Sequence, residues 1–160
     1  MGLRPLDYSF RYKTVHGRDK KTGELVTRYY PYVPAVISSG PNRAPPIEGL
    51  LDSGSDWVVI PLFLAKRLNL ELEKSEPMKV VGRMVERFRS KATVTLGRAG
   101  RLCEPLKDIQ VNIPLEGDFH IIFGRAPIFE LFRITFVEAE RRFTMEPYST
   151  DIHRPARKRQ

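Results

Sequence analysis

Ile47-Glu48-Gly49-Leu50-Leu51-Asp52-Ser53-Gly54-Ser55-Asp56-Trp57-Val58-Val59-Ile60-Pro61 is the stretch on which the reading of this chain turns. One apolar run enters Asp52-Ser53-Gly54 and a second leaves it. Such flanks read as buried strands, and the Asp-Ser-Gly between them reads as a tight turn. A carboxylate at that junction is out of place. Asp is almost never buried without a partner, and an unpaired one is costly. What satisfies Asp52 therefore decides what the chain is.

The 160 residues suit one domain with a small appendage. A hydrophobic fraction of 41% is ample for a core and excludes global disorder. No apolar run approaches the roughly 18 residues of a membrane span, so no membrane partner is expected. Met1 to Asp7 lacks the apolar segment of a signal peptide and the Ser or Thr of a myristoylation site. Cys103 is the single cysteine and rules out an intrachain disulfide. A cytoplasmic location is expected. The net charge of +8 admits nucleic acid as a partner. Part of that excess lies in His153 to Gln160, which reads as a solvated tail. The interleaved exposed aromatics of a stacking site are missing, so nucleic-acid binding is not expected. His16, His120 and His153 are scattered, and no carboxylate cluster joins them, so no metal site is expected. There is no glycine-rich phosphate cradle and no cofactor is expected. Cys103 has no nearby base to make it a nucleophile.

The remaining periodicity predicts short strands. Residues 7–15 alternate Tyr8, Phe10 and Tyr12 with Ser9, Arg11 and Lys13 as a half-buried strand, and 16–23 turn it back into a second strand from Leu25. Pro31 and Pro34 predict an edge position for the next segment. Residues 38–46 and 71–77 read as loops. Pro61 opens a short helix through Leu70. Lys79 to Gly82 and Phe88 to Leu96 read as hairpin arms, with a turn at residues 97–100. Ile109, Val111 and Ile113 alternate as a strand, and 119–123 form an apolar one. Pro127 to Phe132 makes about two helical turns, and 134–137 pairs with 143–145. Many short strands and two short helices predict an all-β closed barrel or sandwich.

Leu50-Leu51-Asp52-Ser53-Gly54 resembles the active-site signature of aspartic proteases: two hydrophobic residues, Asp, Ser or Thr, and Gly. The triplet alone arises by chance in roughly one chain of this size in ten. A second element adds to it. Ile121-Ile122-Phe123-Gly124-Arg125, followed by a short helix, is similar to the hydrophobic-hydrophobic-Gly-Arg segment of retropepsins. The closing Phe132-Arg133-Ile134-Thr135-Phe136 and Arg142 to Pro147 resemble the end of cellular retropepsin-like proteins of archaea and bacteria. On this resemblance residues 31–148 are a retropepsin-like domain, 1–30 a β-hairpin extension and 149–160 a disordered basic tail.

The resemblance implies an all-β acid-protease barrel active as a two-fold homodimer on peptide or protein substrates. In that family two close carboxylates share one proton and titrate as a pair. One activates a water while the other, protonated, donates to the scissile carbonyl. The chain holds one Asp-(Ser/Thr)-Gly, so the second Asp52 must come from another copy. By position in the motif, Asp52, Ser53 and Gly54 are the catalytic loop, with Ser53 reaching across to the other subunit. Asp56 pairs with Arg125 beside Gly124, a structural support. Leu50, Trp57, Val59 and Ile122 line substrate pockets, with His120 near their rim. Gly82 to Glu86 form the tip of a flap. Ser55 is expected to donate to Asp52 and favour its ionised form. Residues 143–150 are expected in an intersubunit sheet, and the hairpin at 7–30 over the barrel edge or cleft. The alternative is a catalytically weak retropepsin-like module that binds peptide or dimerises.

Overall fold

A computed structural model describes residues 8–80, 82–98, 101–117 and 119–148. The expected basic tail, Val81 of the expected flap and residues 99–100 of the expected turn lie outside the described residues, as do residues 1–7. In chain order, the first strands are β1 (Tyr8–Arg11), β2 (Lys13–Arg18) and β3 (Leu25–Tyr30). Then come β4 (Tyr32–Ser39), β5 (Asn42–Arg43), β6 (Ile47–Leu51) and β7 (Val58–Val59). Helix α1 (Leu62–Arg67) leads to β8 (Glu73–Val80) and a long β9 (Arg83–Arg98). After β10 (Arg101–Leu102), β11 (Leu106–Pro114) and β12 (Ile122–Phe123), an irregular helical segment spans Arg125–Phe129. Strands β13 (Phe132–Val137) and β14 (Arg142–Pro147) close the chain.

Strands β9, β11, β7, β12, β6 and β4 pair in that order, and β4 returns to β9. The ring is a closed barrel, as expected. Alternation fills it: Val33, Ala35 and Ile37 of β4, Val58, Val111, Ile113 and Phe123 share one core. Gly49 belongs to that face. A Cβ there would come within 2.2 Å of the Phe123 ring, so the glycine makes room for the largest side chain of the seam.

Several local expectations need correcting. The prolines do not put β4 at an edge, since it pairs β6 at Tyr32–Ala35 and β9 at Ala35–Ser38. Pro34 precedes the point where the second neighbour joins, so its missing N–H costs no ladder bond on that side. Strand β8 begins at Glu73, inside the expected loop. Pro77 is tolerated because the β8–β9 register shifts between Ser75 and Met78. Helix α1 is shorter than expected, because Asn69 takes a left-handed φ of 52°. The expected strand at 119–123 contracts to Ile122–Phe123.

A second sheet has the order β1–β14–β13. Residues 143–145 are paired to Tyr8–Phe10 on one side and to Ile134–Phe136 on the other. These three have no free edge, so they are not the part of the expected 143–150 segment that could join an intersubunit sheet; residues 149–150 lie outside the described residues. Phe143 is the reason this seam holds: it is buried, stacks on Phe10 at 5.2 Å and touches Tyr12 and Phe136. The expected strand at 7–15 is, from Tyr8 on, two strands broken at Tyr12, whose N–H donates to the Arg141 carbonyl. Strands β2 and β3 form a separate, largely exposed hairpin.

Candidate active site

Strand β6 delivers Asp52 to the end of the barrel, and β7 carries the chain back. The loop between them is tied from both sides. The Asp52 N–H donates to the Phe123 carbonyl (3.1 Å) and the Ser55 N–H to the Asp52 carbonyl (3.1 Å). From the opposite strand end, the Arg125 N–H donates to the Ser55 carbonyl (2.8 Å) and the Ala126 N–H to the Asp56 carbonyl (2.9 Å). Gly124 is buried against this loop. A Cβ there would lie 2.4 Å from the Trp57 carbonyl oxygen and 2.6 Å from that of Ser55. Both are backbone atoms that cannot yield, so only glycine permits the contact.

The Asp52 carboxylate is half-buried, and its Oδ1 accepts the Gly54 N–H at 2.8 Å. A Cβ at Gly54 would stand 3.1 Å from the same oxygen. Asp52 makes no ion pair within the chain among the described residues. The Arg125 guanidinium goes to Asp56 instead, the pair that the resemblance implied. Both side chains of that pair are well exposed in a single copy. Ser53 is exposed and makes no hydrogen bond among the described residues.

Ser55 departs from expectation. Its hydroxyl donates to the Trp57 carbonyl at 3.0 Å, bracing the loop, and does not serve Asp52. Of the expected pocket residues, Leu50 and Ile122 are half-buried and adjacent in register. Trp57 is 41% exposed beside the loop. Val59 is 2% exposed, so in one copy it is enclosed and lines no open wall. His120 is exposed. Gly82 sits at the β8–β9 tip with φ +82° and open space around its α-carbon. Among the described residues no three His, Cys, Asp or Glu side chains converge on a metal position. Sequence reasoning missed Asn112, which is 0% exposed and accepts from Arg87 through its Oδ1. Its signal was one of two amides, Gln110 and Asn112, set between Ile109, Val111 and Ile113.

A structure of a retropepsin-like aspartic protease from Rickettsia conorii aligns with 86% of this chain and 96% of its own, at a TM-score of 0.50 and 13% identity. The chain has the retropepsin-like aspartic-protease fold. The EIAV protease in complex with the inhibitor HBY-793 aligns with 64% of this chain and 88% of its own, at 25% identity and a TM-score of 0.47. No family model matches the chain. No curated protein matches it either. The Asp52 loop and the Gly124-Arg125 turn lie at the ends of the paired strands β6 and β12. No helix among the described residues is long and apolar enough to cross a membrane.

Proposed function

We propose that the chain is an aspartic endopeptidase that hydrolyses peptide bonds as a two-fold homodimer, with a water activated between two Asp52 carboxylates. One observation carries this reading. A half-buried carboxylate is clamped at a strand junction by backbone bonds from both sides, yet Arg125, whose backbone N–H ties the same loop, gives its guanidinium to Asp56. A carboxylate held still and left without a cation is suited to share a proton with its twin. Ser53 and Gly54 complete the catalytic loop. Leu50, Ile122 and Trp57, with Val59 behind them, form the apolar surroundings of a peptide. The flap closes from Gly82 to Glu86, and the cytoplasm is the proposed location.

The test is cleavage of an unstructured protein across pH 3–7, with and without pepstatin, beside Asp52→Asn. Loss of pepstatin-sensitive cleavage in the variant supports the reading, and equal cleavage refutes it. Sedimentation at micromolar concentration should show a dimer. The charged flap tip, Arg83-Met84-Val85-Glu86, favours the second reading of a weak peptide-binding module. Peptide binding without turnover in the wild type would select it.

A further inference from the structure

The barrel has a second face beside the core. Registered pairs place Leu50 beside Ile122, Ile122 beside Val59, Val59 beside Asn112 and Asn112 beside Arg89. Residues in register on neighbouring strands share a face. One row therefore leads from the strand that delivers Asp52 to a polar cluster on β9 and β11. At about 4.8 Å per strand, Asn112 lies on the order of 14 Å from Leu50.

That cluster is rich in donors and short of acceptors. Arg87 gives one guanidinium N–H to Asn112 Oδ1 and its Nε–H to the Glu76 carbonyl (2.7 Å). It makes no salt bridge among the described residues, and the Glu76 carboxylate acts on it only from a distance. Asn112 Nδ2 and Arg89 Nε are both buried with no acceptor. Arg89 reaches Glu73 only through its outer Nη2, at 3.5 Å. Buried donors without acceptors are rare and demand an explanation. Burial, and the Arg89 charge beside it, also lower the pKa of Arg87. Both effects would be relieved by an anion.

We infer that this cluster is a subsite for an acidic side chain of the peptide, held by Arg87 and lying a few residues from the scissile bond. The inference rests on the protease reading for the peptide's path along the row. Half-buried Leu50 and Ile122 take the residues next to the scissile bond, over the enclosed Val59, and half-buried Arg87 takes a Glu or Asp beyond them. A charge-assisted hydrogen bond at a half-buried site discriminates by about tenfold or more.

The test uses the full chain and pairs of peptides blocked at both ends, so that the side chain is the sole carboxylate. Cleavage sites are first mapped on an unstructured protein. Glu and Gln are then compared at positions two to four residues either side of the cut. The Glu peptide should win by about tenfold in kcat/KM at one position, chiefly through KM, with the advantage shrinking as salt is added. Arg87→Gln should bring the ratio close to one, and Arg87→Lys should restore part of it. Equal cleavage of Glu and Gln peptides by wild type at every position overturns the proposal. So does a natively folded Arg87→Gln that keeps the preference. If the wild type cleaves nothing, the protease reading fails separately, and the same peptides are titrated against Trp57 fluorescence. Tighter binding of the Glu peptide then upholds the subsite, and equal binding overturns it.

Discussion

The Asp52 loop and the β8–β9 hairpin tip are built on opposite principles. The loop is short, clamped by four backbone hydrogen bonds, and backed by a glycine that no other residue can replace. The tip turns through a glycine with nothing near its α-carbon, beside a Met84 that is 64% exposed. One region stores its precision in contacts already made. The other leaves its contacts to be made with something else. A cleft that grips a mobile peptide needs both: a fixed chemical centre and a cover that is cheap to move.

The contrast can be broken by substitution, beginning with the largest effect. Asp52→Asn should lower kcat/KM by about three to four orders of magnitude while leaving the fold intact, as read by cleavage assay and circular dichroism. Gly124→Ala should destabilise the chain by about 3 kcal/mol, since its new methyl meets backbone oxygens, whereas Gly82→Ala should cost only about 1 kcal/mol for its positive φ. Urea unfolding midpoints of the two variants compare the regions directly, and equal values would erase the distinction. Ser55→Ala should cost about 1 kcal/mol of loop stability and leave the acid limb of the pH–rate profile where it is, because the hydroxyl serves the Trp57 carbonyl. An upward shift of that limb would instead return Ser55 to Asp52.

The smallest effect lies far from both regions, in the β2–β3 turn. The Asp19 carboxylate accepts the N–H groups of Thr22 and Lys21, which hold its pKa below the ordinary carboxylate value. A depressed folded-state pKa contributes stability above the unfolded value and loses it as pH falls through the folded one. Amide exchange in residues 19–24 should therefore rise below about pH 4 in the wild type, and this pH dependence should disappear in Asp19→Ala.

How much of this was legible follows the same division. Asp52 could be read as a carboxylate between two apolar runs, whereas the Gly124-Arg125 turn and the Asp56–Arg125 pair came only through the resemblance to retropepsins. Ser55 was misassigned because a hydroxyl can donate to any acceptor its loop brings near, and only the folded loop shows that this is the Trp57 carbonyl. The extent of β9 was hidden. Its arginines and glutamate look like a solvated loop, yet the strand is held by β8, β11, β4 and β10 in turn. Asn112 was missed for a related reason. Alternation put it opposite Ile109, Val111 and Ile113, and only long-range pairing sets it beside the arginines of β9. Pro34 illustrates the reverse, a correct local rule applied to a strand that changes neighbours partway along its length.

The seam between β1 and β14 has a practical side. Tyr8 to Arg11 occupy the edge of Met145 to Arg142, and Phe10 shields Phe143. Trimming the chain to its barrel would not yield a smaller version of the same molecule. It would bare a row of unsatisfied N–H and C=O groups beside an exposed aromatic, the kind of surface that recruits any extended chain nearby. Strand β1 thus acts as a built-in cover for the last strand, and a form lacking it should be judged by its solubility before its activity.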